Sequence, residues 1–201
     1  MPQSAWACRL AFIAAIAAMT AGCAVAHRTE MMREDVLSDA QQAIADAKLS
    51  HGDLTIAGSV DRPDATYAPD QPITLSVTVD KNAFVAILRV LPGGETTIVF
   101  PNRAHRDAAV KANTLLSVPA PGEQIKIVAD KPGVVLFEFI ASTSGKSWLF
   151  TRAPDDGSDF AYLGVTTREI AKDMVSALKV GGPAPTASTP VTVRISGGGL
   201  L

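Results

Sequence analysis

Ile73-Thr74-Leu75-Ser76-Val77-Thr78-Val79 alternates apolar and polar residues without a break. Successive strand side chains point to opposite faces, so this stretch predicts a strand with one buried face and one wetter face. Asp80-Lys81-Asn82 turns the chain. Ala83–Leu91 then runs almost continuously apolar, which suits a central strand covered on both faces. Pro92-Gly93-Gly94 predicts a hairpin loop, and Glu95–Phe100 its antiparallel return. Pro101–Asn113 reads as a polar loop.

Working outward, Leu54–Gly58 predicts a short strand before this block. Leu115–Val118, Gln124–Ala129 and Val134–Ala141 predict three after it, with Pro132-Gly133 turning between the last two. Trp148-Leu149-Phe150 reads as a further short strand. Short strands separated by turns at close spacing predict a mainly β domain over residues 53–150. The expected form is an antiparallel β-sandwich, immunoglobulin-like or similar, with flanking N-terminal and C-terminal helices.

The helices are read from spacing. Met32, Val36, Ala40, Ile44 and Ala47 recur every three or four residues, so residues 31–52 predict an amphipathic helix. Residues 151–182 predict a loop and then a helix over 167–179. Thr166 or Thr167 would cap its start, and Gly181-Gly182-Pro183 would end it. Residues 183–201 read as a linker-like tail, with Val191–Ile195 as a candidate edge strand.

Residues 1–22 read as an export signal. Arg9 is followed by the apolar run Leu10–Met19, the length of a signal core. An anchoring transmembrane helix is the other reading of this segment. Thr20-Ala21-Gly22-Cys23 resembles the lipobox of bacterial lipoproteins. The resemblance implies cleavage after Gly22, a diacylglyceryl group on the Cys23 thiol and acylation of the new amine. Residues 23–30 would then be a tether. Of the two cysteines, Cys8 would leave with the signal. Several acyl chains, at ~0.8 kcal/mol per buried methylene, hold a protein firmly on a bilayer. Ala24, where aspartate usually signals inner-membrane retention in such lipoproteins, implies an outer-membrane lipoprotein facing the periplasm.

Tyr67, the strand Ile73–Val79, the strand Phe84–Leu91, the turn Pro92-Gly93-Gly94-Glu95 and the run Val99-Phe100-Pro101-Asn102 occur in one order. Pro132-Gly133 then precedes the apolar strand Val134–Ser142. This order resembles the bacterial domain of unknown function 4384 over roughly residues 54–143. The resemblance implies an accessory β module of envelope and multidomain proteins, and it brings no catalytic residues. Phe100, Pro101 and Asn102 are expected to form a structural corner. Phe100 would anchor the core, Pro101 would end the strand for want of an N–H, and Asn102 would turn the chain.

The chain has 201 residues, of which 47% are hydrophobic and 19% charged, with a net charge of −2. That is room for one domain and its appendages, and it lacks the basic excess of a nucleic-acid binder. His27, His51 and His105 have neither the paired spacing nor the cysteine partners of a zinc site. Ser144-Gly145-Lys146-Ser147 lacks the earlier glycine of a phosphate loop, because Ile140 stands there. Asp155–Asp159 reads as a solvated turn. No catalytic residue, metal or cofactor is therefore expected. Asn102, Arg103, His105 and Arg106 form the one basic loop that could touch an acidic partner or anionic glycan or phosphate groups.

The expected function is that of a non-enzymatic envelope lipoprotein presenting a β-rich binding or assembly module to the periplasm. Its partners would be the membrane, through the lipid anchor, and an envelope protein. The alternatives are an accessory lipoprotein of a secretion or cell-envelope assembly machine, and a cell-wall hydrolase.

Overall fold

A computed structural model of the protein describes residues 36–152, 154, 157–180 and 183–197. The export signal, Gly22, Cys23 and the tether lie outside the described residues, as does the start of the expected 31–52 helix. Among the described residues no helix is long and apolar enough to cross a membrane.

The protein is mainly β. In chain order its strands are β1 (Ser50–His51), β2 (Ile56–Val60), β3 (Thr66–Tyr67), β4 (Leu75–Val79), β5 (Ala83–Val90), β6 (Thr96–Phe100), β7 (Ala109–Val110), β8 (Leu116–Val118), β9 (Gly133–Ser142), β10 (Ala161–Leu163) and β11 (Thr186–Ile195). Among the described residues three helices join them: α1 (Asp39–Ala45), α2 (Trp148–Thr151) and α3 (Thr167–Val180). The larger sheet runs β1-β11-β9-β5-β6-β10, with β3 added beside β11 and β7 beside β5. The smaller sheet runs β2-β4-β8. All pairings are antiparallel except β3 with β11.

Alternation along β5 assigns its two faces. Val85 and Ile87 join Val77 and Val79 of β4 and Phe137 and Phe139 of β9 in one apolar cluster shared by the two sheets. Ala86, Leu88 and Val90 point the other way, with Leu136, Ile140 and Ile98. Ile44 of α1, Leu149 of α2, and Ile170 and Met174 of α3 cover them. The strand expected to be covered on both faces is therefore covered by helices on one side and by the smaller sheet on the other. A register shift after Ile87 sets Phe100 opposite Ile87 but Ile98 opposite Leu88. This bulge sends the consecutive Val99 and Phe100 into the same cluster. Gly58 of β2 lies on Phe139, and a Cβ there would fall 2.6 Å from the ring.

Polar groups fix the ends of the elements. Ser38 and Gln41 form a reciprocal cap on α1. The fully buried Gln41 also donates to the carbonyls of Val90 (3.0 Å) and Val134 (2.7 Å), tying the helix to the ends of β5 and β9. Thr166 is the cap of α3: its Oγ1 accepts from the Glu169 N–H, and the Glu169 carboxylate accepts from the Thr166 N–H.

Several expectations are corrected. The 31–52 helix is, within the described residues, only the seven residues of α1, and Ser50–His51 is strand β1. Trp148-Leu149-Phe150 is the helix α2, because Ser147 accepts the Leu149 N–H at 3.3 Å and starts a helical turn. Gln124–Ala129 buries Ile125, Ile127 and Ala129 but forms only one isolated bridge, Ile127 with Ile73. The polar loop 101–113 contains β7. Within the described residues, the 183–201 tail is not a linker with an edge strand. Thr186–Ile195 is β11, which pairs along its whole length with β9 and carries β1 and β3 on its other side. Pro190 falls between those two short partners, where β11 needs no donor on that side.

Candidate functional site

Register across the larger sheet builds the site. Phe137 of β9 lies opposite Arg89 of β5, Arg89 opposite Thr97 of β6, and Thr97 opposite Tyr162 of β10. Directly opposed residues share a face, so these four side chains form one row. The row starts in the core at Phe137 and ends at Tyr162, which is 64% exposed. Beside it lies a cleft of about 490 Å³. Its walls come from Arg89, Thr97 and Tyr162 of the row, from Leu91 and Glu95 at the β5–β6 turn, from Lys126, Val128 and Asp130, and from Ser158, Asp159 and Phe160 before β10.

Arg89 is the unusual member. It is only 8% exposed. Its Nη1 donates to the Val128 carbonyl at 2.7 Å, and its guanidinium carbon lies 5.9 Å from the Phe160 ring centroid. Its buried Nε has no acceptor, and among the described residues no carboxylate lies within ion-pairing distance. Burial pushes its pKa below the ordinary arginine value, and Tyr162, through charge and a side-chain hydrogen bond, and the Asp130 charge partly oppose this. A buried charge with an unsatisfied donor costs several kcal/mol.

The basic loop meets this wall through Arg103 and Asp159, but its members do not act together. Asn102 is fully buried; it donates from Nδ2 to the Val99 carbonyl and accepts the His105 N–H on Oδ1. It holds the corner and offers nothing to a partner, which corrects its place in the contact loop. Phe100 is fully buried in the core, and Pro101 follows it as the strand ends. His105 packs edge-on against Phe100, with ring centroids 5.3 Å apart. Arg103 donates from Nε (3.0 Å) and Nη2 (2.7 Å) to Asp159, a residue of the cleft wall. Arg106 is exposed. Among the described residues no three His, Cys, Asp or Glu side chains are placed to hold a metal ion.

Sequence reasoning passed over Arg89 because it sits inside an apolar strand. The signal was there: Ala83–Leu91 carries a single charge, and Val134–Ala141 likewise carries only Glu138. Glu138 lies on the helix-covered face, opposite Leu88. It is 1% exposed, and its Oε2 has no partner. Burial lifts its pKa to about 7 despite a hydrogen bond with Ser188.

The expected resemblance holds for the middle of the chain. Residues 66–145 match the family described as Domain of unknown function (DUF4384). The match begins at β3 and ends at Gly145, which lies against the Phe84 ring, so it takes in Arg89, Thr97 and Lys126 but not β10. Over 140 residues the chain is 26% identical to the "46 kDa surface antigen" of Mesomycoplasma hyopneumoniae strain 232, covering 68% of this chain and 34% of that protein. The protein of the same name from strain J matches to the same extent. The chain thus spans about a third of the length of these curated relatives. No solved structure matches it.

Proposed function

We propose that this chain is a non-enzymatic lipoprotein of the cell envelope whose β-rich domain is a binding module. The observation that carries the reading is the cleft with the buried, incompletely partnered Arg89 in its wall. A guanidinium orients an anion through fixed donors but gives up no proton near neutral pH, so its chemistry is recognition. The lipobox-like Thr20-Ala21-Gly22-Cys23 supports attachment through Cys23 to the outer membrane, facing the periplasm. The name of the surface-antigen relatives supports an envelope or cell-surface location. Confinement to a membrane raises the effective concentration of the module near its envelope partners.

The test is intact mass and membrane partitioning of the natively expressed chain beside Cys23→Ala. The expected result is acyl mass on the wild type and release of only the variant from membranes. Wild type released without lipid, or retained with residues 1–22 still attached, overturns the lipoprotein reading.

A further inference from the structure

We propose that the Arg89 cleft takes a small zwitterion, a free amino acid or short peptide, with its carboxylate on the Arg89 guanidinium. The assignment rests on the binding-module reading and names its ligand class.

The floor of the cleft is positive and rigid. Arg89 is held from three sides: by its strand neighbours in the row, by the Val128 carbonyl and by the Phe160 ring. A guanidinium fixed in this way presents its remaining donors in a plane, the geometry that matches a carboxylate's two oxygens. Thr97 next to it is 1% exposed, so little water competes at the floor.

The mouth has the opposite character on one side. Glu95 and Asp130 line both this cleft and a smaller adjoining hollow of about 140 Å³ beside Pro92 and Pro132. Lys126 also lines the main cleft, Lys131 lies in the side hollow, and Asp159 is already held by Arg103. The charges of the main cleft therefore balance, but unevenly: the buried Arg89 puts a cation at the floor, while the exposed Glu95, Asp130 and Lys126 leave the rim negative by one charge. A ligand neutral as a whole, with an anionic and a cationic end, complements that separation. A phosphate dianion brings two charges to a balanced site with acidic groups at its rim, and like-charge juxtaposition opposes it. The cleft volume falls within the range of small-molecule sites, roughly 300–1,000 Å³.

The experiment is calorimetric titration of the full-length chain in detergent at neutral pH with L-alanyl-L-alanine, free L-alanine, acetate and inorganic phosphate. The expected result is saturable binding of the dipeptide or the amino acid, tighter than acetate and tighter than phosphate. Arg89→Lys keeps the charge but loses the fork, and it should weaken binding at least tenfold while circular dichroism stays unchanged. Glu95→Gln with Asp130→Asn, both at exposed positions, should erase the preference for zwitterions over acetate. No saturation by dipeptide or amino acid, or an affinity unaffected by Arg89→Lys, overturns the proposal. Phosphate as the tightest ligand also overturns the zwitterion assignment, and it leaves the binding module standing. The membrane partitioning of Cys23→Ala reads the anchoring separately, so the two failures cannot be confused.

Discussion

Tyr67 and Arg89 are both buried polar side chains on the larger sheet, and the protein treats them in opposite ways. The Tyr67 hydroxyl donates to Asp61 at 2.7 Å and accepts the Arg62 N–H at 3.3 Å. The same Asp61 oxygen takes the Thr74 N–H at 2.8 Å, and the Arg62 guanidinium carbon lies 5.3 Å from the Tyr67 ring centroid. Burial alone would raise the Asp61 pKa, but the hydrogen bonds from Tyr67 and Thr74 outweigh it and hold the carboxyl below its ordinary value. Burial and the Asp61 carboxylate together push the Tyr67 hydroxyl well above its own. Arg89, by contrast, has the Val128 carbonyl and Tyr162 as partners but a buried Nε with none, in a side chain that lines a cleft. A polar group with all its partners in place is scaffold. One left short of a partner at the wall of a cleft fits the ligand-binding role proposed for Arg89.

The largest effect is expected where the network is complete. Tyr67→Ala removes a 1%-exposed ring and should lower unfolding stability by about 3–5 kcal/mol in a urea titration. Tyr67→Phe keeps the ring and removes only the hydroxyl, so it should cost about 1–3 kcal/mol. A Tyr67→Phe variant as stable as the parent would show that the hydroxyl is not part of the scaffold.

Glu138 gives the second test, through pH. Its folded pKa of about 7 lies above the ordinary 4.5, so the native state keeps a proton that the unfolded chain has released. Its stabilising effect is complete below about pH 4.5. It declines as pH rises to about 7, by up to about 3 kcal/mol, and is level above that. Asp61 acts with the opposite sign, because its folded pKa is lowered. It stabilises above about 3.8, and that contribution is lost as pH falls through its folded pKa. Glu138→Gln should flatten the slope between pH 5 and 7 and make the protein more stable than the parent at pH 8. An unchanged slope, measured by urea midpoints across that window, would remove Glu138 as its origin.

How legible these regions were follows from the same physics. The strands β4, β5, β6 and β9 were readable because their faces impose an alternating or continuous apolar pattern. The Phe100-Pro101-Asn102 corner was readable because turn chemistry is local. β11 was not, because its first half, Thr186-Ala187-Ser188-Thr189-Pro190, has linker composition and is ordered by pairing with a strand more than forty positions earlier. α2 was not, because three apolar residues suit either period and a serine cap decides. The site was hidden for a related reason. The row from Phe137 to Tyr162 exists only through the registers of four strands, and no sequence spacing encodes it.

The third test separates stability from binding at Arg89. Replacing a buried, poorly partnered charge with an apolar chain of similar length is often neutral for stability. Arg89→Met should therefore shift the urea midpoint by less than about 1 kcal/mol in the ligand-free protein, since the relief of the buried charge offsets the lost bond to Val128. A loss as large as that of Tyr67→Phe would place Arg89 with the scaffold and end the contrast.

The smallest effect is expected at Arg103. Its ion pair with Asp159 is well formed, but the two side chains are 50% and 37% exposed, and solvent screens pairs of this kind to about 0.2–1 kcal/mol. Arg103→Ser should barely move the unfolding midpoint, and less still at high salt. Its informative consequence lies in the cleft, because Arg103 neutralises one of the three carboxylates in its walls. Releasing Asp159 makes the wall more acidic. Acetate should then bind more weakly, while a zwitterion, whose ammonium gains a partner, should lose less. Arg106→Ser, made at an exposed position that does not line the cleft, should change neither ligand. Equal losses from Arg103→Ser and Arg106→Ser would mean that the loop acts through its net charge, and that Asp159 is not part of the wall a ligand feels.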